Sequence, residues 1–87
     1  GAIQLDQNFP NPFNPATTIT YALPNAAHVT LRVYSMLGQE VGTLIDMFQE
    51  AGVRSVSFDA GTLPSGVYCY RLIAGGCVGS RTMIVLR

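Results

Sequence analysis

The stretch Val67-Tyr68-Cys69-Tyr70-Arg71-Leu72-Ile73-Ala74-Gly75-Gly76-Cys77-Val78-Gly79-Ser80-Arg81-Thr82-Met83-Ile84-Val85-Leu86 decides the fold. Gly75-Gly76 marks a tight hairpin turn, because two adjacent glycines accept the positive φ values that such turns require. The arms on either side, Val67 to Ala74 and Cys77 to Leu86, are rich in β-branched and aromatic residues, which suit a pleated, half-buried surface. The register follows: Ala74 faces Cys77, and Cys69 faces Thr82. The two cysteines are then five residues out of register, about 15 Å apart at ~3.3 Å per residue. A disulfide tolerates Cα separations of at most ~7 Å. An intramolecular bridge is therefore excluded, and free or interchain thiols are expected.

Upstream of the hairpin the pattern has period two, with turn signals roughly every eight to twelve residues. Ile19, Tyr21 and Leu23 alternate with Thr18, Thr20 and Ala22 until Pro24-Asn25. Val29, Leu31 and Val33 alternate with Thr30 and Arg32, and Leu37-Gly38 makes the next turn. Glu40 to Ile45 reads as a third strand, and Asp46 to Gly52 as a connection, with one helical turn through Leu44, Ile45 and Phe48 as the alternative. Val53 to Asp59 is a further strand, and Ala60 to Gly66 a loop punctuated by Gly61, Pro64 and Gly66. The expected fold is all-β: an immunoglobulin-like antiparallel β-sandwich of six strands, or seven if the lead-in pairs along an edge. There is no tryptophan, so the antibody pattern of two cysteines around a core tryptophan does not apply.

Before the first strand, three prolines and three asparagines fall within Asn8 to Ala16. Each proline fixes φ and removes a backbone donor, and the residue before it is pushed toward extended geometry. Residues 1–17 therefore read as an extended lead-in, and residues 18–87 as one sandwich domain. Phe9 and Phe13 are large apolar groups, expected to clasp the sandwich at its own edge or at a neighbour's.

The 87 residues carry five basic and five acidic side chains, and charged residues make up 11% of the chain. A soluble domain typically holds about 25%, and near-zero net charge favours association. Nucleic-acid binding is excluded, because it needs a basic stripe to displace counterions. No apolar run approaches the ~20 residues of a membrane-spanning helix. No signal-peptide pattern opens the chain, so a piece of a longer precursor is expected.

Catalysis needs convergent titratable groups, and the sequence places none together. His28 is the only histidine and reads as a surface or edge residue. Asp59 fits an acid accepting backbone hydrogen bonds in a turn, with a calcium ligand as the lesser reading. Ser65 lacks a nucleophile elbow, and Gly75 to Gly79 lacks the lysine and helix of a phosphate loop. Cys69 has no base in view. The expectation is a non-enzymatic protein with no cofactor and no metal.

Four ordered blocks carry a resemblance. Gln7-Asn8-Phe9-Pro10-Asn11-Pro12-Phe13-Asn14-Pro15-Ala16-Thr17-Thr18-Ile19 is similar to the opening of type A C-terminal sorting domains of the type IX (Por) secretion system. Val29 to Val41 and Leu63 to Leu72 resemble two further blocks of that family, and Met83 to Arg87 its closing block. Phe58-Asp59 stands where the family has Trp-Asp. The resemblance implies an immunoglobulin-like fold and no catalytic residues. It also implies export through the periplasm and outer membrane to the cell surface or medium, with an outer-membrane translocon as partner.

The chain departs from the family at Ser35, Gln39, Met47-Phe48, Ile73, Cys77, Gly79 and Thr82, where charged, polar or bulkier residues are frequent. Burying one exposed apolar side chain is worth ~1.5–3 kcal/mol, so self-association is a competing expectation: a structural subunit of an extracellular filament or surface layer. Carbohydrate binding ranks last for want of aromatic platforms. The recognition or interface candidates are Phe9, Phe13, Met47, Phe48, Cys69, Cys77, Thr82, Met83, Leu86 and Arg87.

Overall fold

A computed structural model describes residues 2–87; Gly1, the first residue of the lead-in, lies outside it. The described chain is all-β, with β1 (Gln4–Leu5), β2 (Ala16–Leu23), β3 (Ala27–Ser35), β4 (Glu40–Gln49), β5 (Gly52–Asp59), β6 (Gly66–Ala74) and β7 (Cys77–Val85). Two antiparallel sheets stack, one ordered β1-β2-β5 and the other β4-β3-β6-β7. The immunoglobulin-like sandwich read from the sequence is the fold.

Period two explains the core. Ile19, Tyr21 and Leu23 of β2 face Val29, Leu31 and Val33 of β3, with Tyr68, Tyr70, Leu72 and Ala74 of β6 and Met83 and Val85 of β7 completing the layer. The β6–β7 hairpin has the predicted register, Ala74 opposite Cys77 and Cys69 opposite Thr82. Gly75 and Gly76 take φ of 56° and 81°, values that a side chain with a Cβ adopts only at a cost. Both cysteines are free.

The third strand runs longer than its expected end at Ile45. β4 continues to Gln49 and β5 begins at Gly52, so neither a loop nor a helical turn fills 46–52, and Met47 and Phe48 lie on a strand. From Ile45 to Gln49 the pairing with β3 is unbroken, while before Ile45 there are two register shifts, between Leu31 and Arg32 and between Val33 and Tyr34. Leu44 and Val41 are the additional residues, each a bulge that breaks the two-residue alternation. Leu44 and Ile45 then stand side by side with apolar character, which imitates helical spacing.

The lead-in closes one side of the sandwich by changing sheets. β1 pairs with β2, and Phe9 still pairs antiparallel with Thr18. Phe13 then bridges Val85 in parallel, on the other sheet. One edge of the β4-β3-β6-β7 sheet is thereby covered at Val85, while β4 and β5 end their sheets on the opposite side.

Candidate functional site

The lead-in is built around carbonyls and side-chain amides, as a segment short of N–H donors must be. Asn8 is buried; its Nδ2 donates to the Pro10 carbonyl at 3.2 Å and to Thr17 Oγ1 at 3.1 Å. Thr17 Oγ1 donates in turn to the Pro10 carbonyl at 2.7 Å. Gln7 Nε2 donates to Asn8 Oδ1 and to the Thr82 carbonyl, both at 2.7 Å. Further on, Asn11 Oδ1 accepts the Ile84 N–H at 2.9 Å, and the Pro15 carbonyl accepts the Ala60 N–H at 2.8 Å. Among the described residues every buried side-chain nitrogen and oxygen has a partner, so the wrapped segment carries no unpaired buried side-chain group to offset.

Tyr70 anchors this arrangement from inside the sandwich. Its hydroxyl donates to the Asp6 carbonyl at 2.7 Å and accepts the Asn8 N–H at 2.8 Å. Burial raises its pKa above the ordinary tyrosine value, with the Asn8 hydrogen bond and the Arg81 charge opposing the shift. Tyr21 is raised for the same first reason, opposed by its hydrogen bond to Gln49 and by Arg54. Arg81 Nε ties β7 to β1 through the Leu5 carbonyl at 2.6 Å.

Phe13 and Phe9 part company. Phe13 is 3% exposed, its ring edge-on to Phe58 at 6.1 Å between centroids. Phe9 is 80% exposed and clasps nothing of its own domain. Its pairing with Thr18 puts it on the outer face, since directly opposed strand residues share a face. The inward positions of that pairing belong to Asn8 and Thr17.

The chain end meets the same segment. Phe13 N–H donates to the Ile84 carbonyl and Leu86 N–H to the Phe13 carbonyl, both at 3.0 Å. Arg87 is held by its N–H on Ser65 Oγ at 2.8 Å and its Nε on the Leu63 carbonyl at 2.7 Å. Met83 is fully buried and Leu86 exposed. Thr82 lies exposed on the outer face beside half-buried Cys69, whereas Cys77 lines a small apolar hollow with Ile3, Leu23, Ala27 and Ala74.

Polar chemistry elsewhere is structural. His28 Nε2 meets Asp46 Oδ1 at 2.7 Å on the exposed face, and Arg32 reaches Glu40 and Asp46 at 3.6 and 3.7 Å. Asp59 Oδ1 accepts the Gly61 N–H at 2.7 Å, the turn role its position indicates. Among the described residues no three His, Cys, Asp or Glu side chains stand close enough to share a metal ion. Among the described residues no helix is long and apolar enough to cross a membrane. Sequence reasoning missed Tyr70 and Asn8 as a pair: they lie 62 residues apart, and nothing local signals a contact at that distance.

The first and last described segments of this sandwich are sewn together by backbone hydrogen bonds. The family model for the secretion system C-terminal sorting domain matches residues 7–86, and the chain belongs to that family. No curated protein matches the chain by sequence. The protein is a sorting domain of type IX secretion, whose carriers are exported and end secreted or on the cell surface.

Proposed function

We propose that the address this domain carries is a folded one, read by the outer-membrane translocon as a surface and not as a linear peptide. The supporting observation is the hydrogen bond from Leu86 N–H to the Phe13 carbonyl, with its companion from Phe13 N–H to Ile84. These join the proline- and asparagine-rich opening block to the closing block. Each block thus holds part of the other in place, so removing either disturbs the surface that both present. The domain performs no reaction of its own; its work is to be recognised, and its cargo is then released or tethered at the surface.

The test fuses residues 3–87 to a reporter in a type IX-competent host. Export of the fusion, lost on deletion of Thr82 to Arg87 and lost equally on Phe13→Ala, supports the reading. Export that survives removal of residues 82–87 overturns it.

A further inference from the structure

We propose that Ile45–Gln49 of β4 is a docking edge for an extended segment of a partner protein, basic on one face and apolar on the other. This rests on the sorting reading only for the identity of the partner, a component of the secretion machinery. The two sides of the sandwich are unequal. On one, the lead-in covers β2 through Phe9 and β7 through Phe13. On the other, β4 and β5 end their sheets without a neighbour.

Exposed edges are commonly blunted by proline, by lysine or by bulges. The whole chain has no lysine, and neither β4 nor β5 contains proline. Both bulges of β4 fall before Ile45; from Ile45 to Gln49 the register with β3 is continuous. This regular stretch is what a further strand needs to pair with. It also carries Met47 at 53% and Phe48 at 61% exposure. Met47 shares the inner face with Val29, and Phe48 shares the outer face with His28.

Charge selects the occupant. Residues 40–53 hold three carboxylates, Glu40, Asp46 and Glu50, and no basic residue, with Arg54 next in the chain and its guanidinium on the Glu50 carbonyl. On the outer face Glu40 and Asp46 share the guanidinium of Arg32, and Asp46 also meets His28 Nε2, so one arginine and one histidine stand against the two carboxylates beside the edge. A second copy pairing through this stretch would bring its own Asp46 to the seam along with Met47 and Phe48, adding negative charge and no arginine or lysine from the strand itself. A strand with arginine or lysine opposite Asp46 and an aliphatic residue against Met47 is complementary in both respects.

The decisive experiment titrates the isotope-labelled 87-residue chain with the synthetic peptide Arg-Val-Thr-Val-Arg-Val-Thr-Val, reading amide shifts and hydrogen exchange. The expected result is slowed exchange confined to β4 from Ile45 to Gln49, with at least tenfold weaker binding when glutamate replaces both arginines. Met47→Lys, which places a charge on the inward side of an exposed edge position, should weaken binding tenfold or more and leave the thermal midpoint within a few degrees. Val78→Lys on β7 should change neither. Absence of binding at millimolar peptide overturns the proposal, as do shifts centred on β5 or β7, or a dimer formed through β4 without peptide. A separate arm measures export of the reporter fusion. If wild type is exported and the Met47→Lys variant equally so, the docking edge is wrong while the sorting function stands. If wild type is not exported, the sorting reading fails and the peptide titration alone decides the edge.

Discussion

The Tyr70 hydroxyl accepts the backbone N–H of Asn8 at 2.8 Å from across the sandwich and donates its own hydrogen bond to the Asp6 carbonyl at 2.7 Å. One buried side chain thus fixes two points of a segment that has few hydrogen-bond donors of its own. Tyr70→Phe keeps the ring and leaves the Asn8 N–H without its partner. The expected cost is ~1–3 kcal/mol, read from the urea midpoint. At ~4–8 °C per kcal/mol for a domain of this size, the thermal midpoint should fall visibly. A variant as stable as wild type would show that the lead-in is held by other means.

Alkaline pH should act on the same contact. The pKa values of Tyr70 and Tyr21 are raised in the folded state, first by burial. As the pH passes the unfolded value near 10, the unfolded chain releases these protons while the folded one retains them. Stability is therefore full below about pH 10 and falls as the pH rises from there through the folded-state values. Urea unfolding from pH 8 to 11 checks this, and the decline should be shallower in Tyr70→Phe. An equal slope in both proteins would assign the loss elsewhere.

The two lead-in phenylalanines should respond oppositely. Phe13→Ala removes a ring packed against Phe58 and should cost about 3–5 kcal/mol, enough to unfold a marginal domain. Phe9→Ala should stay within about 0.5 kcal/mol of wild type, as exposed substitutions usually do. Parallel equilibrium unfolding of both variants decides it, and a similar loss in each would contradict the described packing.

The thiols offer a chemical check. Cys69 and Cys77 are free, on opposite faces of one hairpin. Oxidised and reduced protein should differ in mass by no internal disulfide, and Cys69→Ser should leave the midpoint within about 0.5 kcal/mol. A shift of two mass units on reduction of the monomer would refute the register.

Most of the sandwich was legible in the sequence because alternation reports directly on which face is buried. The β6–β7 register followed from Gly75-Gly76 alone, since a two-residue turn leaves no freedom in the pairing. The facing of the first half of β4 was not legible. Leu44 and Val41 each insert a residue, and a bulge is invisible to a rule that counts in twos. Which edge Phe9 serves was not legible, because residue type says that a ring is apolar, not which side of the chain it leaves by; it does not pack on its own domain. The buried position went to Asn8, whose amide can satisfy carbonyls that a phenyl ring cannot. The Asn8–Tyr70 contact depends on a partner 62 residues away.

The parallel bridge between Phe13 and Val85 has a mechanical consequence. The lead-in and β7 run in the same direction, so the chain enters at one pole of the sandwich and leaves at the other. Tension applied between the lead-in and the C-terminal segment pulls these two strands past each other lengthwise. The bonds of Phe13, Ile84 and Leu86 then share the load together, where a peeling geometry would break them one at a time. The domain is strung to resist being drawn out straight.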